Sequence, residues 1–158
     1  MEVRFMDRKD LESVSEIHQA AFSRQTLSFQ WLESSLNGFP RLLCFVATQN
    51  NDILGYIIWA QKSGFRTETI LDLDQIAVLP EYQNQGIGKT LINDSLVLVK
   101  KQLAKQSSTL KHITVNTRLD NQSQRLYQQT LGAEVEAVIK KLYSGDEALM
   151  IARNVTTD

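Results

Sequence analysis

The chain has little of what disulfide-stapled, metal-dependent or membrane-spanning proteins require. Its 158 residues include one cysteine, Cys44, and two histidines, His18 and His112. One cysteine forms no internal disulfide, and zinc sites usually take more sulfur or imidazole ligands than this. No stretch approaches the roughly 18 consecutive apolar residues of a membrane helix, and the first residues have no apolar signal core. We therefore expect a soluble cytoplasmic protein without a metal centre.

The chain also lacks a large net charge of either sign. The 17 basic residues are offset by 18 acidic ones, which leaves a formal net charge of -1. Without a global positive field, binding to nucleic acid or to an anionic membrane is not expected. The sequence shows no repeats or linkers, and it predicts a single domain over residues 1–158, long enough to bury roughly 70% of the surface that the unfolded chain exposes.

Hydrophobic periodicity predicts the element order βααβββαβαββ. The first helix is expected after a cap at Asp7, and the others are expected over residues 28–36, 90–106 and 122–130. The expected strands are Val3–Phe5, Leu42–Thr48, Ile53–Trp59, Thr69–Val78, Leu110–Thr117, Val135–Tyr143 and Ala148–Arg153. Hairpins mix with strand–helix–strand crossovers, so we expect an α/β fold with a mixed sheet and helices on both faces.

The segment with the clearest chemistry is residues 74–90, where an apolar strand runs through a loop with Gly86 and Gly88 into a helix. A helix start presents unpaired N–H groups and the positive end of the helix dipole, and glycine lets an anion approach closely. The segment therefore predicts a phosphate or pyrophosphate cradle around Gln85–Thr90, with Lys89 as an available cation. A plain tight turn would also account for the glycines, and a solvated first-turn side chain for Lys89.

Three protein families have a phosphate-binding loop of this kind and could account for the segment. Residues 88–90 match the end of the P-loop, but that motif needs a glycine where Gln83 stands. The dinucleotide-binding fingerprint needs a third glycine or alanine where Leu91 stands. The remaining pattern, Gln83-x-x-Gly86-x-Gly88, resembles the Gln/Arg-x-x-Gly-x-Gly/Ala signature of the GNAT acetyltransferase superfamily.

This resemblance implies a GNAT-like central sheet of about six or seven strands and transfer of an acetyl group from acetyl-CoA to an amine. It is strongest over residues 72–96. It further implies that the backbone of Ile76, Ala77 and Val78 binds the pantetheine arm, and that the Val78 N–H polarises the thioester carbonyl. The pyrophosphate would be held by the backbone of Gln83, Asn84, Gln85, Gly86, Ile87, Gly88, Lys89 and Thr90.

Asp72 and Asp74 are the candidates for the base that removes the amine proton. They lie two apart on a predicted strand, so their side chains share one face. GNAT enzymes that resemble this chain place an acidic residue at one of these positions. An exposed polar face, or pairing with a neighbouring cation, explains them equally well. Glu81 is expected on a loop surface, and the two histidines, without a visible carboxylate partner, in ordinary packing.

Tyr127 is the candidate acid for the departing thiolate. GNAT proteins often carry Asn-x-x-Ala-x-x-Leu-Tyr followed by a glycine, and the run from Asn121 to Gly132 is close to this pattern but out of register. Matching on Tyr127 places Asp120 in the asparagine slot, and matching on Asn121 places Gln128 in the tyrosine slot. We prefer the first, because it keeps the aliphatic–tyrosine pair, and we retain Asn121 among the cofactor-binding candidates.

The sequence therefore predicts an N-acetyltransferase in which the amine attacks acetyl-CoA directly. Trp31, Phe39 and Phe65 lie where GNAT proteins usually build the acceptor pocket, although core packing explains Trp31 and Phe39 as well. Two other functions stay open: an acetyl-CoA-binding sensor or interaction module without turnover, and, more distantly, a nucleotide hydrolase. The acceptor is expected to be a small-molecule or peptide amine, and a homodimer is compatible with the resemblance.

Overall fold

The computed structural model describes residues 1–155, which form a mixed seven-stranded sheet with four α-helices. The strand order is β1-β2-β3-β4-β5-β7-β6. The strands are β1 Glu2–Phe5, β2 Leu42–Gln49, β3 Asp52–Gln61, β4 Glu68–Val78, β5 Thr109–Arg118, β6 Glu134–Ile139 and β7 Glu147–Ala152. The helices are α1 Leu11–Ala21, α2 Ser28–Asn37, α3 Ile87–Lys105 and α4 Ser123–Leu131. The predicted fold class is confirmed.

Two compact units share strand β4 and helix α3. Unit one consists of residues 1–60 and 74–99. In it, β2 pairs antiparallel with both β1 and β3, and a left-handed backbone at Asn50 and Asn51 closes the β2–β3 hairpin. One apolar cluster joins α1 and α2 to alternate residues of β2 and β3. Val14 on α1, Leu32 on α2 and Ile58 on β3 are members of this cluster. Helix α3 meets the strands through a bond from Trp59 Nε1 to Ser95 Oγ (2.8 Å).

Unit two consists of residues 61–73 and the described residues from 100 to 155. Here the first half of β4 pairs parallel with β5, which fits a crossover through a helix. β7 lies between β5 and β6 and pairs antiparallel with both, so β6 is the edge of the sheet.

Two predicted boundaries were wrong for identifiable reasons. Helix α3 begins at Ile87 instead of residue 90, because only Gly86 of the two glycines has a positive φ (82°) and Gly88 lies within the helix. β6 ends at Ile139 instead of Tyr143. At Lys141 the backbone turns left-handed (φ 54°), and its N–H donates to Asp146 Oδ1 instead of to a neighbouring strand.

The predicted cap at Asp7 begins a short 3-10 turn over Arg8–Asp10 instead of α1, which follows at Leu11 without a side-chain cap bond. Asp7 accepts a bond from the Lys9 N–H, and the Asp10 carboxylate accepts one from the Asp7 N–H (2.7 Å). Arg4 holds the same Asp10 carboxylate with two bonds of 2.8 and 3.0 Å. Within the part of the chain that the structure describes, no helix is both long and apolar enough to cross a membrane.

Candidate active site

The predicted cradle lies in unit one, between the end of β4 and the first turn of α3. A short 3-10 turn over Pro80–Tyr82 follows β4, and the chain then takes left-handed conformations at Asn84 (φ 62°) and Gly86 (φ 82°). Ile87 is buried and fixes the start of α3 against the core. The N–H groups of Ile87, Gly88 and Lys89 precede the first i→i−4 bond of α3 and are available to an anion, whereas the Thr90 N–H already donates to the Gly86 carbonyl (3.1 Å).

Side chains of the same loop brace it against the strand. The Gln83 amide donates to the Val78 carbonyl and the Gln85 amide to the Glu81 carbonyl, both at 3.3 Å. The Thr90 hydroxyl donates to the Gly86 carbonyl at 3.0 Å. Because these side chains bond to the loop itself, they hold its shape and leave anion binding to the backbone.

Gly86 has the two features that let an anion approach the backbone closely: a left-handed conformation and open space beside Cα. Its φ of 82° disfavours a side chain, and a Cβ at this residue would meet no atom within 4 Å. Open space at a helix start fits a bound phosphate group. Lys89 is exposed on the adjacent turn, where its charge would face solvent or an anion.

Gly55, which the sequence analysis did not single out, permits close packing at the end of β4. A Cβ at Gly55 would lie 2.7 Å from the Ala77 carbonyl oxygen and 3.3 Å from Val78 Cα. Two residues of the predicted pantetheine-binding strand thus pack directly on β3. An isolated glycine inside a strand pattern was the available signal.

We expect Gly55→Ala to lower the free energy of unfolding by roughly 1–3 kcal/mol, because its new methyl group meets fixed backbone. Gly145→Ala is the control, since the nearest atoms to a Cβ there belong to the flexible end of Arg118 (3.2 Å). Denaturant midpoints measure both variants. Equal stability of the two variants would contradict the packing argument.

The two candidate bases differ in their surroundings. Asp72, in unit two, is half-buried, and its Oδ1 accepts a bond from the hydroxyl of Thr114 (2.7 Å), the residue that faces it on β5. Asp74, in unit one, is exposed. Burial raises the pKa of the Cys44 thiol to about 12, and the nearby Asp74 charge adds to the rise. The pKa of Tyr56 is raised by the same two causes, again with burial first.

Tyr127 and Asn121 lie in unit two with different degrees of exposure. Tyr127 is 5% exposed and faces inward from α4, whereas the next residue, Gln128, is exposed. Burial raises the pKa of the Tyr127 phenol to about 12, although a hydrogen bond with the Ser123 side chain lowers it in part. The Asn121 side chain accepts a bond from the Ser123 N–H (2.8 Å) just before α4.

The two histidines bond to nearby backbone or side chains, whereas the two phenylalanines proposed for the acceptor pocket lie at the surface. His18 is fully buried and bonded on both ring nitrogens, and the His112 Nδ1 accepts the Asn154 N–H at 3.0 Å. Phe39 and Phe65 are exposed. Among the described residues, no group of three or more metal-ligating side chains comes together.

A mixed seven-stranded sheet with a glycine-bearing cradle before α3 is the arrangement of an acetyltransferase domain. Residues 11–133 match the sequence model of the acetyltransferase (GNAT) family, and the chain belongs to that family. No curated protein matches the chain significantly.

Solved structures share the fold over almost the whole chain. Ard1 from Thermoplasma volcanium is 21% identical with a TM-score of 0.77, covering 98% of this chain and 97% of its own. The ribosomal-protein-S18-alanine N-acetyltransferase from Escherichia coli is 21% identical with a TM-score of 0.78, covering 99% and 96%. An aminoglycoside 6'-N-acetyltransferase solved with coenzyme A is 15% identical with a TM-score of 0.79, covering 97% of each chain. At these identities the likeness shows the fold alone.

Proposed function

We propose that the protein is an N-acetyltransferase that uses acetyl-CoA to acetylate a primary amine. The observation that carries the proposal is the cradle over residues 83–90, where left-handed backbone at Asn84 and Gly86 opens space at the start of α3. When bound, acetyl-CoA supplies an acetyl group activated as a thioester. Family membership and a structural neighbour solved with coenzyme A support this cosubstrate.

The backbone of unit one would hold the cosubstrate. The N–H groups between Gln83 and Thr90 would bind its phosphates, with Lys89 adding a charge at the rim. The N–H groups of Gln83 and Thr90 themselves donate to the Pro80 and Gly86 carbonyls (3.4 and 3.1 Å), so these two residues would shape the cradle instead. The strand residues Ile76, Ala77 and Val78 would hydrogen-bond the pantetheine arm, and the Val78 N–H would stabilise the charge that develops on the thioester oxygen.

Asp74 is the better candidate for drawing a proton from the amine. Lysine-type amines have a pKa near ~10.4 and α-amino groups near ~8, so most acceptors are protonated at neutral pH. Asp74 is exposed whereas Asp72 is half-buried, so Asp74 is the more accessible of the two carboxylates to an incoming amine. Asp74 would receive the proton directly or through water.

Tyr127 would serve the leaving sulfur as a hydrogen-bond donor. Its pKa of about 12 keeps the phenol protonated at every working pH. Complete transfer to a thiolate of pKa ~8.5 would then be uphill by about 5 kcal/mol, more than for an ordinary phenol. A hydrogen bond to the developing thiolate needs no such transfer and still stabilises its charge. Asn121 would support the cosubstrate only indirectly, because its side chain accepts the N–H of Ser123, the first residue of α4.

We expect Asp74→Asn to lower turnover most near neutral pH and least at high pH. The amine loses its proton unaided when the pH approaches its own pKa, so the base matters less there. Initial rates between pH 6 and 10 measure the effect, with Asp72→Asn as the control. A loss for Asp74→Asn that is uniform with pH would indicate positioning or folding instead.

A turnover screen with acetyl-CoA and a panel of amines tests the proposed function. The panel should include peptide N-termini, lysine side chains, polyamines and aminoglycosides, and the readouts are release of free CoA thiol and the product mass. Acetyl-CoA binding without turnover on any amine would favour the alternative, a sensor or interaction module.

A further inference from the structure

Gln75 lies on β4 between Asp74 and Ile76, and its side chain is the centre of a polar network in unit one. Its Oε1 accepts bonds from Tyr56 OH (2.9 Å) and Trp31 Nε1 (3.0 Å). Its Nε2 donates to Gln25 Oε1 at 3.3 Å. One amide thus links β4 to β3, to α2 and to the connection between α1 and α2.

The network continues from Gln25 into the interior. His18 Nε2 lies 2.9 Å from the same Gln25 oxygen, and His18 Nδ1 lies 2.8 Å from Ser28 Oγ. A carbonyl oxygen only accepts, so the His18 Nε2 donates to Gln25, and in a neutral ring Nδ1 accepts from the Ser28 hydroxyl. Each bond in this chain therefore pairs a donor with an acceptor, which lets the network keep one arrangement.

Replacing Gln75 is expected to destabilise the protein, because the network ends on buried side chains. Tyr56 and His18 are both 0% exposed. Removing the Gln75 oxygen would leave the Tyr56 hydroxyl in the core without this acceptor, and a buried donor without a partner is costly. The network therefore imposes one position on the side chains that bond to Gln75.

The exposed end of the network is Trp31, which points to a role beyond stability. Its ring is 42% exposed, although its Nε1 is bonded to Gln75. The bond to Tyr56 serves stability, but an exposed indole N–H could bond to water instead, so stability does not explain the bond from Gln75 to Trp31. What the amide adds is a fixed orientation of an open aromatic ring beside the strand that carries Asp74.

We propose that Gln75 is a positioning residue of the acetyl-transfer site. It holds Trp31 and the α1–α2 connection against β4, so that the acceptor amine meets the strand in one geometry. This role rests on the proposed function. Gln75 acts through Trp31 and Gln25 and takes no part in proton transfer.

The test compares Gln75→Leu with Gln106→Leu, a matched control. Gln106 is also half-buried, and it bonds to another glutamine, Gln61, at 3.3 and 3.4 Å. For Gln75→Leu we expect kcat/KM for the amine to fall roughly 10- to 100-fold, because small misplacements of a reacting group are costly. The KM for acetyl-CoA should stay within about twofold. The control should keep both parameters.

The indole N–H signals in a nitrogen–proton NMR spectrum report positioning directly, since the chain has two tryptophans. In Gln75→Leu the Trp31 signal should shift and exchange faster with solvent. The Trp59 signal, from a buried indole bonded to Ser95, serves as the internal reference. Gln25→Ala, a change at an exposed residue, is the second variant if Gln75→Leu does not fold, and it should reduce amine kcat/KM in the same direction.

The outcomes separate this proposal from the proposed function. An unmoved Trp31 signal, or amine kinetics equal to those of Gln106→Leu, would overturn the positioning role. A parent protein that acetylates no amine would refute the proposed function, and the Trp31 signal would then still decide whether Gln75 holds the indole.

Discussion

Gly86→Val should abolish the thermal stabilisation that acetyl-CoA gives to the parent protein. A ligand that binds only the folded state at about 100 times its Kd stabilises by about 2.7 kcal/mol, which for a domain of this size raises Tm by roughly 5–10 °C. A β-branched side chain at φ 82° strains the backbone and fills the space beside the first turn of α3. Melting curves with and without acetyl-CoA measure the loss.

Gly64→Val is the matched control for this experiment. Gly64 also has a positive φ (100°) with no atom within 4 Å of a Cβ, but it belongs to the loop before β4. Both variants therefore carry a strained, exposed valine, and only one of them carries it in the cradle. If Gly86→Val still gains the parental Tm shift, the cradle does not bind the cosubstrate.

Tyr127→Phe should lower turnover by roughly 10²-fold while leaving acetyl-CoA affinity nearly unchanged. Phenylalanine keeps the buried ring and removes the hydroxyl proposed to donate to the leaving sulfur, and such donors typically contribute this factor. Steady-state rates and a binding isotherm measure the two quantities. The control is Tyr143→Phe, because the Tyr143 side chain is exposed in the loop after β6.

The raised pKa of Tyr127 also predicts how the turnover of the parent protein depends on pH. Since the Tyr127 pKa is raised to about 12, the phenol stays protonated through the neutral and moderately alkaline range. The parent's turnover should therefore show no decline from loss of the Tyr127 proton below about pH 10. Parental rates in Tyr127→Phe would show that water or another donor serves the sulfur.

The strand, turn and helix start that form the cradle could be predicted from the sequence because their determinants are local, while phosphate binding there stays a prediction. The strand, the two glycines and the helix start follow one another within residues 74–90, and each has a known conformational preference. The structure then corrected the role of Gly88, which lies inside α3, while Gly86 alone adopts the left-handed backbone. Glycine has a low helix propensity, so the start of α3 was predicted three residues too late, after Gly88 instead of before it.

Side-chain contacts between distant segments could not be predicted in this way. Gln75 bonds to Gln25 and Trp31 across separations of 50 and 44 residues. Asp72 and Thr114 meet only because β4 and β5 are parallel neighbours. No periodicity in the sequence encodes these pairs, so Asp72 and Asp74 looked equivalent as candidate bases. The structure distinguishes them, because Asp72 is half-buried and Asp74 is exposed.

Acetyl transfer to an amine, with the cradle as the proposed acetyl-CoA site, is measured most directly by mass spectrometry. An amine panel is incubated with isotope-labelled acetyl-CoA and either the parent or Gly86→Val. We expect at least one amine to gain one labelled acetyl group with the parent and none to do so with Gly86→Val. Equal labelling by the two proteins, or labelling by neither while both bind acetyl-CoA, would contradict it.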